Sequence, residues 1–300
     1  MSGFSVVVPS YNSSSYIGSA FKSIEVASKG RPFEILVVDD LSSDTESLEE
    51  VCSQHSAVRL IKKEKKTNAA HSRNLGVAHS HYDLVLLLDS DDELLESAVD
   101  QRLALHEKYN AGVIFGNYIT KRGEKQVLST MQWEGEPVRD FLFGGGGDFR
   151  TSTISIYKPS YKKTKFDEEA AKHQDWIFGM KCCDAGEDMY FDSKPISIIN
   201  VDTDVRMSSK LYLDASRYLI KEYLCDQRHV NGFSKKHWRS AVANEDAVAI
   251  AYYTSIFLPA RLSDHLSKML YQFLAKGSMI CLSSRAMRFA KKVKWLKLGN

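Results

Sequence analysis

Residues 84–93 read L-V-L-L-L-D-S-D-D-E, an apolar run that ends in a cluster of acidic residues. A short, continuous apolar run is typical of a strand that is buried on both faces of a parallel sheet. Similar runs recur at 4–8, 33–38, 58–61 and 113–115, and segments with helix-like spacing lie between them at 16–27, 45–52, 69–78 and 94–109. The alternation predicts an α/β fold, with a doubly wound, mostly parallel sheet and helices on both faces.

The second half of the chain is less regular. We predict a strand near 153–157, a helix near 176–185 and a strand near 196–201. From residue 211 onward the spacing indicates helices, with a break at Pro259. We therefore predict an α/β domain over 1–207 and a C-terminal helical region with a basic amphipathic tail over 208–300.

The bulk composition is that of an ordinary soluble globular protein, with 43% hydrophobic and 26% charged residues among 300. Its five cysteines are odd in number and show no C-x-x-C spacing, which argues against a disulfide framework and a structural zinc site. The N-terminus does not resemble a signal peptide, and no run approaches 18 apolar residues. These features favour a cytoplasmic protein.

The tail from residue 285 to 300 is strongly basic and contains no acidic residue. Together with its apolar residues and Trp295, this composition suits a helix that lies on an anionic membrane surface. A solvated basic helix or a packing arm is the alternative. A nucleic-acid partner is not expected, because one tryptophan does not provide the interleaved stacking aromatics that RNA binding favours. The tail's cations are Arg285, Arg288, Lys291, Lys292, Lys294 and Lys297.

Polar residues follow three of the predicted strands directly. The segments are V-V-V-P-S-Y-N at 6–12, I-L-V-V-D-D-L-S-S-D at 35–44, and the acidic run at 84–93. The carboxyl ends of parallel strands meet at one edge of a sheet, where ligands bind in this class of fold. This edge is therefore the predicted ligand site.

The carboxylates Asp89, Asp91 and Asp92 are close in sequence and would repel one another. A Mg²⁺ or Mn²⁺ ion would neutralise them, and its remaining coordination positions would accept a diphosphate. The alternative is that Asp91, Asp92 and Glu93 cap a helix that begins near Leu94.

Two further polar groups lie in helical contexts. Arg73, in N-A-A-H-S-R-N-L-G at 68–76, could hold phosphate, or it could be an exposed helix arginine. Asp175, in K-H-Q-D-W-I-F-G at 172–179, could be a helix N-cap. It could instead be a general base whose pKa is raised by the neighbouring Trp176.

The glycine run at 144–147 precedes Asp148, Arg150, Thr151 and Ser152. A glycine-rich loop lets a ligand approach the backbone closely. A disordered connection is the equally weighted alternative.

In this order and spacing, the motifs over residues 4–180 resemble inverting glycosyltransferase family 2 of the bacterial surface-polysaccharide type, which has the GT-A fold. The resemblance implies transfer from a nucleotide-sugar, in particular a UDP-sugar, to a glycan or lipid-linked acceptor, at the inner face of the cell membrane if the tail binds there. Asp175 would be the general base, although Gln174 stands where the family more often has Glu.

The resemblance also implies roles for particular residues. Asp91 and Asp92 would hold Mn²⁺ or Mg²⁺. The nucleotide-binding set would be Pro9, Tyr11, Asn12, Asp39, Asp40, Arg73, Asp89 and Ser90, with the base contact open between the two neighbouring aspartates. The residues that would position donor or acceptor are Thr151, Ser152, Gln174, Trp176 and Arg206.

Other classes of protein fit less well. A phosphatase of the haloacid-dehalogenase type carries its D-x-D motif after the first strand, whereas here the motif follows the fourth. A nucleotidyltransferase needs a glycine-rich, basic loop after the first strand, and a P-loop NTPase needs G-x-x-x-x-G-K-[ST]. Neither motif occurs. The rival interpretation is a non-catalytic binding or scaffold protein that retains the fold and binds membrane or nucleic acid through its basic tail.

Overall fold

The computed structural model describes residues 3–201, 213–259 and 262–275. The strands are β1 (Phe4–Ser10), β2 (Phe33–Asp39), β3 (Val58–Lys62), β4 (Leu84–Leu87), β5 (Glu93–Leu94), β6 (Val113–Gly116), β7 (Ile119–Arg122), β8 (Lys125–Leu128), β9 (Ser155–Tyr157), β10 (Met189–Asp192) and β11 (Ser197–Asn200). The helices are α1 (Ile17–Ser28), α2 (Thr45–Ser53), α3 (Ala69–His79), α4 (Ala98–Tyr109), α5 (Val138–Phe143), α6 (Gln174–Asp184), α7 (Leu213–Tyr223), α8 (Gln227–Ala243), α9 (Ala247–Ile256) and α10 (Leu262–Ala275).

The chain divides into two compact units. One comprises Met1–Val138 and Asp148–Asp204, and the other comprises Arg139–Gly147 and Val205–Asn300. The second unit therefore includes the predicted glycine run as well as the C-terminal helices. The boundary predicted between residues 207 and 208 lies outside the described residues and stays a prediction.

The first unit is built on a sheet with the strand order β10-β6-β9-β4-β1-β2-β3. All neighbouring strands are parallel except β9, which runs antiparallel to both β4 and β6. All seven residues of β1 are buried, as expected for a central strand covered on both faces. The predicted doubly wound, mostly parallel sheet is confirmed.

The helix α3 packs closely on β1 because residue 76 is glycine. A Cβ atom at Gly76 would overlap the side chain of Val7. This close approach holds α3, and with it Arg73, beside the carboxyl ends of the central strands. On one face of the sheet, Phe4, Val6 and Val8 join a core that includes residues of α1 and β2.

The prediction that a helix begins near Leu94 is wrong. Residues Glu93–Leu94 form β5, which pairs antiparallel with β11, and α4 begins only at Ala98. β5 and β11 belong to a second, smaller sheet with the order β5-β11-β7-β8, which the sequence did not predict. These strands have two to four residues each, so they carry little periodic signal.

The predicted elements between residues 150 and 201 are found with shifted ends. A turn of 3₁₀ helix occupies Thr151–Thr153 before β9, and α6 starts two residues earlier than predicted, at Gln174. β11 covers Ser197–Asn200.

The second unit is helical in its described part, as predicted. Trp238 of α8 is buried and stacks on Tyr271 of α10, with ring centroids 4.2 Å apart. No helix among the residues described is both long enough and apolar enough to cross a membrane.

Candidate functional site

The carboxyl ends of β1, β2 and β4 lie side by side in the sheet, as the sequence predicts. The register pairs Ser10 of β1 with Asp39 of β2, and β4 lies on the other side of β1. The polar residues that follow these strands therefore share one edge of the first unit. We call this edge the strand-end rim, comprising residues 10–14, 39–45 and 88–92.

Asp40 lies at the rim in a strongly basic setting. Its carboxylate is paired with Lys63 Nζ at 2.6 Å and with Lys66 Nζ at 3.2 Å. It also accepts a hydrogen bond of 2.8 Å from the backbone amide of Thr67. Burial acts to raise the pKa of Asp40, but hydrogen bonds from these donors outweigh it and hold the pKa below its usual value. Asp40 is therefore ionised at neutral pH.

Asp39 is engaged within its own loop. Its carboxylate accepts hydrogen bonds from the Ser42 hydroxyl and from Thr45 Oγ1, the latter at 3.2 Å. The side chain is buried and braces the turn that follows β2. The two neighbouring aspartates thus differ, because only Asp40 is joined to a residue that also contacts Tyr11.

Tyr11 is about half exposed, and Lys66 Nζ lies 2.9 Å from its ring centroid. Lys66 therefore bridges the aromatic face and the Asp40 carboxylate. Pro9 is buried within β1, opposite Val38. Asn12 adopts a left-handed conformation with φ of 51°, and its side chain accepts a hydrogen bond of 2.8 Å from the Ser43 amide. Asn12 thereby ties the loop after β1 to the loop after β2.

Arg73 is buried, so the exposed-arginine alternative is wrong. Its Nη2 donates a hydrogen bond of 2.8 Å to Asp89 Oδ1, and its Nη1 donates one of 2.9 Å to Gln174 Oε1. The amide of Gln174 also donates to the Ala170 carbonyl at 2.7 Å. One guanidinium thus connects the end of β4 with the first residue of α6.

Asp92 is buried, and both of its carboxylate oxygens accept hydrogen bonds. Ser152 Oγ donates at 2.6 Å and the backbone amide of Asn200 donates at 3.0 Å. Burial, followed by repulsion from Asp89 and Asp91, raises the pKa of Asp92 well above its usual range. Asp92 therefore anchors the acidic loop to β11 and to the segment before β9.

Asp91 and Ser90 are partly exposed, in contrast to Asp92. The backbone carbonyl of Asp91 accepts a hydrogen bond of 2.7 Å from Asn200 Nδ2, which leaves its carboxylate out of that contact. Tyr16 lies close by. Burial raises the pKa of its phenol, a hydrogen bond with Ser90 lowers it, and the negative charge of Asp91 raises it.

The helix-capping alternative for the acidic residues does not hold, because α4 begins at Ala98, well beyond Glu93. Among the residues that the structure describes, however, no group of three or more His, Cys, Asp or Glu side chains is arranged to hold a metal ion. Any ion at this rim would need ligands from the substrate as well.

Asp175 lies in the first turn of α6 and is partly exposed. The N-cap position belongs to His173, whose side chain makes no capping bond, so Asp175 is not the N-cap. Burial raises the pKa of Asp175 to about 6, with Asp148 adding to the rise and Arg150 and Arg73 opposing it. A carboxylate with this pKa suits a general base at neutral pH.

Trp176, the residue after Asp175, is held by Asp148. Its Nε1 donates a hydrogen bond of 2.8 Å to Asp148 Oδ1. Arg150 Nε and the Tyr118 hydroxyl donate to Asp148 Oδ2, at 2.7 and 3.1 Å. Asp148 thus accepts hydrogen bonds from three side chains, those of Trp176, Arg150 and Tyr118, near the candidate base.

Thr151 and Ser152 are both buried, in the 3₁₀ turn before β9. Ser152 Oγ accepts a hydrogen bond of 3.1 Å from the backbone amide of Asp89 as well as donating to Asp92. Ser152 therefore holds the acidic loop in place through hydrogen bonds to Asp89 and Asp92. Arg206 and the basic tail lie outside the described residues.

Several residues that contact the rim or lie beside the candidate base were not singled out from the sequence. Lys63 and Lys66 follow β3, so the rule that strand ends carry the site could have found them. Asn200 and Tyr118 carried no such signal, because they reach the site through contacts between distant parts of the chain.

A groove of about 370 Å³ lies elsewhere in the first unit, lined by residues that include Tyr109, Trp133 and Tyr190. It borders the first residues of β10, not the strand-end rim. Glu187 in its wall is already engaged by the Lys162 amide and the Thr164 hydroxyl, at 2.9 and 2.6 Å. The groove is therefore not part of the candidate site.

The chain belongs to glycosyl transferase family 2, whose sequence profile matches residues 5–166. This confirms the predicted resemblance to GT-A glycosyltransferases of surface-polysaccharide biosynthesis, and it excludes the phosphatase and P-loop classes. The matched span ends before Asp175, so the role of Asp175 as general base stays a prediction.

Individual relatives are distant. The amylovoran biosynthesis glycosyltransferase AmsB of Erwinia amylovora is 29% identical over 206 residues, which cover 65% of this chain and 68% of that protein. The poly(ribitol-phosphate) β-N-acetylglucosaminyltransferase TarS of Staphylococcus aureus is 27% identical over 209 residues, or 67% of this chain and 34% of TarS.

The fold is also shared with a solved structure. The crystal structure of S. aureus TarS 1–349 in complex with UDP-GlcNAc superposes with a TM-score of 0.60 at 20% identity, and covers 85% of this chain and 81% of that one. At this identity the likeness shows the fold alone.

Proposed function

We propose that this protein transfers a sugar from a UDP-sugar to a hydroxyl group of a glycan or lipid-linked acceptor, with inversion at the anomeric carbon and with Asp175 as general base. The observation that carries the proposal is the pair of contacts made by Arg73, which joins the rim residue Asp89 to Gln174, next to Asp175. The donor end and the acceptor end of one displacement are thereby held by a single side chain.

The relatives' names support the donor class. TarS is described in complex with UDP-GlcNAc, and WfgD of Escherichia coli is named as a UDP-Glc-dependent β-1,3-glucosyltransferase. Such β linkages are the product that a single displacement on an α-linked nucleotide-sugar gives. We extend both features to this chain.

The nucleoside end of the donor is proposed to lie between Tyr11 and Asp40. Tyr11 offers a half-exposed aromatic face, and Asp40 is an ionised acceptor for the N3–H group of uracil. Because Lys66 lies over this face, it would have to move when the base binds. Arg73 and Lys66 would then face the diphosphate with their positive charge.

The acidic loop suits a divalent cation held by one protein carboxylate together with donor phosphates. Asp91 is the favoured ligand, because it is partly exposed at the rim whereas its neighbour Asp92 is buried. When bound, Mn²⁺ or Mg²⁺ would neutralise charge on the departing diphosphate.

The chemical step uses Asp175 directly. Its carboxylate takes the proton of the acceptor hydroxyl as the oxygen attacks the anomeric carbon, on the face opposite the nucleotide. The C–O bond to the diphosphate breaks in the same displacement. Arg73, which is held beside the end of β4 by its ion pair with Asp89, would stabilise the negative charge on the departing diphosphate.

Association with an anionic membrane surface is proposed as well. Four apolar side chains of α10 are more than half exposed and share one face by their spacing of three, four and seven residues: Leu266, Met269, Leu270 and Phe273. The opposite face of α10 packs on α8 through Tyr271. The basic sequence at 285–300 adds the charge that favours anionic lipid as the occupant of this face.

The proposed function is tested with a panel of nucleotide-sugars, with and without Mn²⁺ or Mg²⁺, by measuring thermal shift and release of nucleoside diphosphate together. We expect stabilisation and slow hydrolysis with at least one UDP-sugar, because the donor site is formed within the first unit. Absence of both binding and turnover with every donor would favour the non-catalytic scaffold.

A further inference from the structure

We propose that Asp148 is a positioning residue for the candidate base: it holds Trp176 in place and draws Arg150 away from the Asp175 carboxylate. The inference rests on the proposed function, because it concerns how Asp175 is kept ready to accept a proton. The family profile matches only residues up to 166, so it covers neither Asp175 nor Trp176.

Each carboxylate oxygen of Asp148 accepts two hydrogen bonds. Oδ1 of Asp148 accepts from Trp176 Nε1 at 2.8 Å and from the amide of Phe149 at 3.0 Å. Oδ2 accepts from Arg150 Nε at 2.7 Å and from the Tyr118 hydroxyl at 3.1 Å. Four donors fix the Asp148 side chain, which is only 17% exposed.

Trp176 transmits this fixed position to the base. Its backbone amide donates a hydrogen bond of 2.9 Å to Asp175 Oδ1, while its indole ring is pinned by Asp148. The ring also stacks on His173, with centroids 4.8 Å apart. Trp176 is therefore held at both ends, and the first turn of α6 is held with it.

Among the described residues, the charges that act most on Asp175 come from Arg150, Asp148 and Arg73. Arg150 and Asp148 lie on the segment before the 3₁₀ turn, and Arg73 lies on α3. Both arginines lower the pKa of Asp175, whereas Asp148 raises it. A direct, unopposed pairing of Arg150 with Asp175 would make the base too weak, because a carboxylate neutralised by a guanidinium holds a proton poorly.

Asp148 prevents that outcome by pairing with Arg150 itself. The Arg150 side chain is 41% exposed, and its Nε donates to Asp148. Removal of the Asp148 charge would lower the pKa of Asp175 in two ways. It would remove the repulsion between the two carboxylates, and it would release Arg150 towards Asp175. Removal of the Arg150 charge would have the opposite effect on the same carboxylate.

The experiment measures the pH dependence of kcat/KM in the full chain for wild type, Asp148→Asn and Arg150→Gln. We expect the acidic limb to move to lower pH in Asp148→Asn and to higher pH in Arg150→Gln, each by about one pH unit. Asp188→Asn is the matched control, because Asp188 is an exposed aspartate of the same unit outside the site, and its profile should equal that of wild type.

A merely structural role would lower turnover without moving the limb, so two unmoved limbs would overturn the inference. If Asp148→Asn fails to fold, as judged by circular dichroism and UDP binding, then Arg150→Gln decides the question by the direction of its shift. The proposed function fails separately, namely if Asp175→Asn retains normal transfer. Unmoved limbs alongside an inactive Asp175→Asn protein would reject only the inference about Asp148.

Discussion

Arg73 donates a hydrogen bond of 2.9 Å to Gln174, 101 positions later in the chain, while its other terminal nitrogen binds Asp89. Gln174 stands where the family more often carries glutamate. The neutral amide of Gln174 still accepts the hydrogen bond from Arg73. The negative charge that neutralises the Arg73 guanidinium here then comes from Asp89. The substitution therefore keeps the geometry that supports Asp175 and changes the charge beside it.

Replacement of Asp175 by asparagine should abolish most sugar transfer. The amide cannot accept the acceptor's proton, so the expected loss in kcat is about 10²- to 10⁴-fold. UDP binding should stay near the wild-type value, because Asp175 is not among the rim residues proposed to hold the nucleotide. Radiolabelled sugar transfer and calorimetric titration with UDP measure the two effects. A variant with normal transfer would show that the base lies elsewhere.

Turnover should fall as the pH drops through about 6, the value to which burial raises the pKa of Asp175. The protonated carboxyl cannot act as base, so the rate is lost on the acid side. The free energy of unfolding depends on pH in the opposite direction. Because the pKa of Asp175 is higher in the folded than in the unfolded state, this carboxyl group stabilises the fold at low pH. That contribution is lost as the pH rises through about 6. A rate profile from pH 4.5 to 8 checks the first statement. Asp175→Asn should unfold at pH 7.5 at no lower temperature than wild type.

Asp91→Asn should weaken Mn²⁺ binding in the presence of UDP, whereas Asp92→Asn should change it much less. Asp91 is the partly exposed carboxylate, and Asp92 has both oxygens engaged by Ser152 and Asn200. Electron paramagnetic resonance of free Mn²⁺ measures binding without relying on activity. Equal loss in both variants would mean that Asp92 is also a ligand.

Lys63→Met should destabilise the first unit by about 3 kcal/mol, because it breaks a buried ion pair with Asp40. Lys66→Met is the matched comparison, since Lys66 pairs with the same carboxylate but its side chain is 47% exposed, and it should cost less than about 1 kcal/mol. Urea unfolding of the two variants gives both values. Similar losses would indicate that burial does not distinguish the two pairs.

The double variant Met269→Gln/Phe273→Gln should reduce sedimentation with anionic lipid vesicles, because it makes the exposed face of α10 polar. Val248→Gln, at an exposed apolar position on α9, serves as the control. High salt should also weaken binding by wild type, if the basic tail contributes. Unchanged vesicle binding would contradict the proposal, and a change in oligomeric state would show that a second copy covers this face.

The sequence determined the larger, mostly parallel sheet of the first unit and the edge where the candidate site lies. Continuous apolar runs specify strands buried on both faces, and the residue after each run must emerge at the carboxyl edge, because parallel strands share one direction. This local logic predicted Asp40 and Asp89 at that edge, where the structure has them, and left the position of Arg73 open; their roles stay predictions. It also identified the segment that contains Asp175.

Only the tertiary structure distinguished residues that look alike in the sequence. Asp91 and Asp92 are neighbours, yet Asp92 is closed off by Ser152 and Asn200, which lie 60 and 108 positions away. Asp39 and Asp40 separate in the same way, through a loop hydroxyl on one side and Lys63 on the other. Periodicity reports which face of an element is apolar, but whether a carboxylate is ionised, buried or free to bind depends on partners brought from distant parts of the chain.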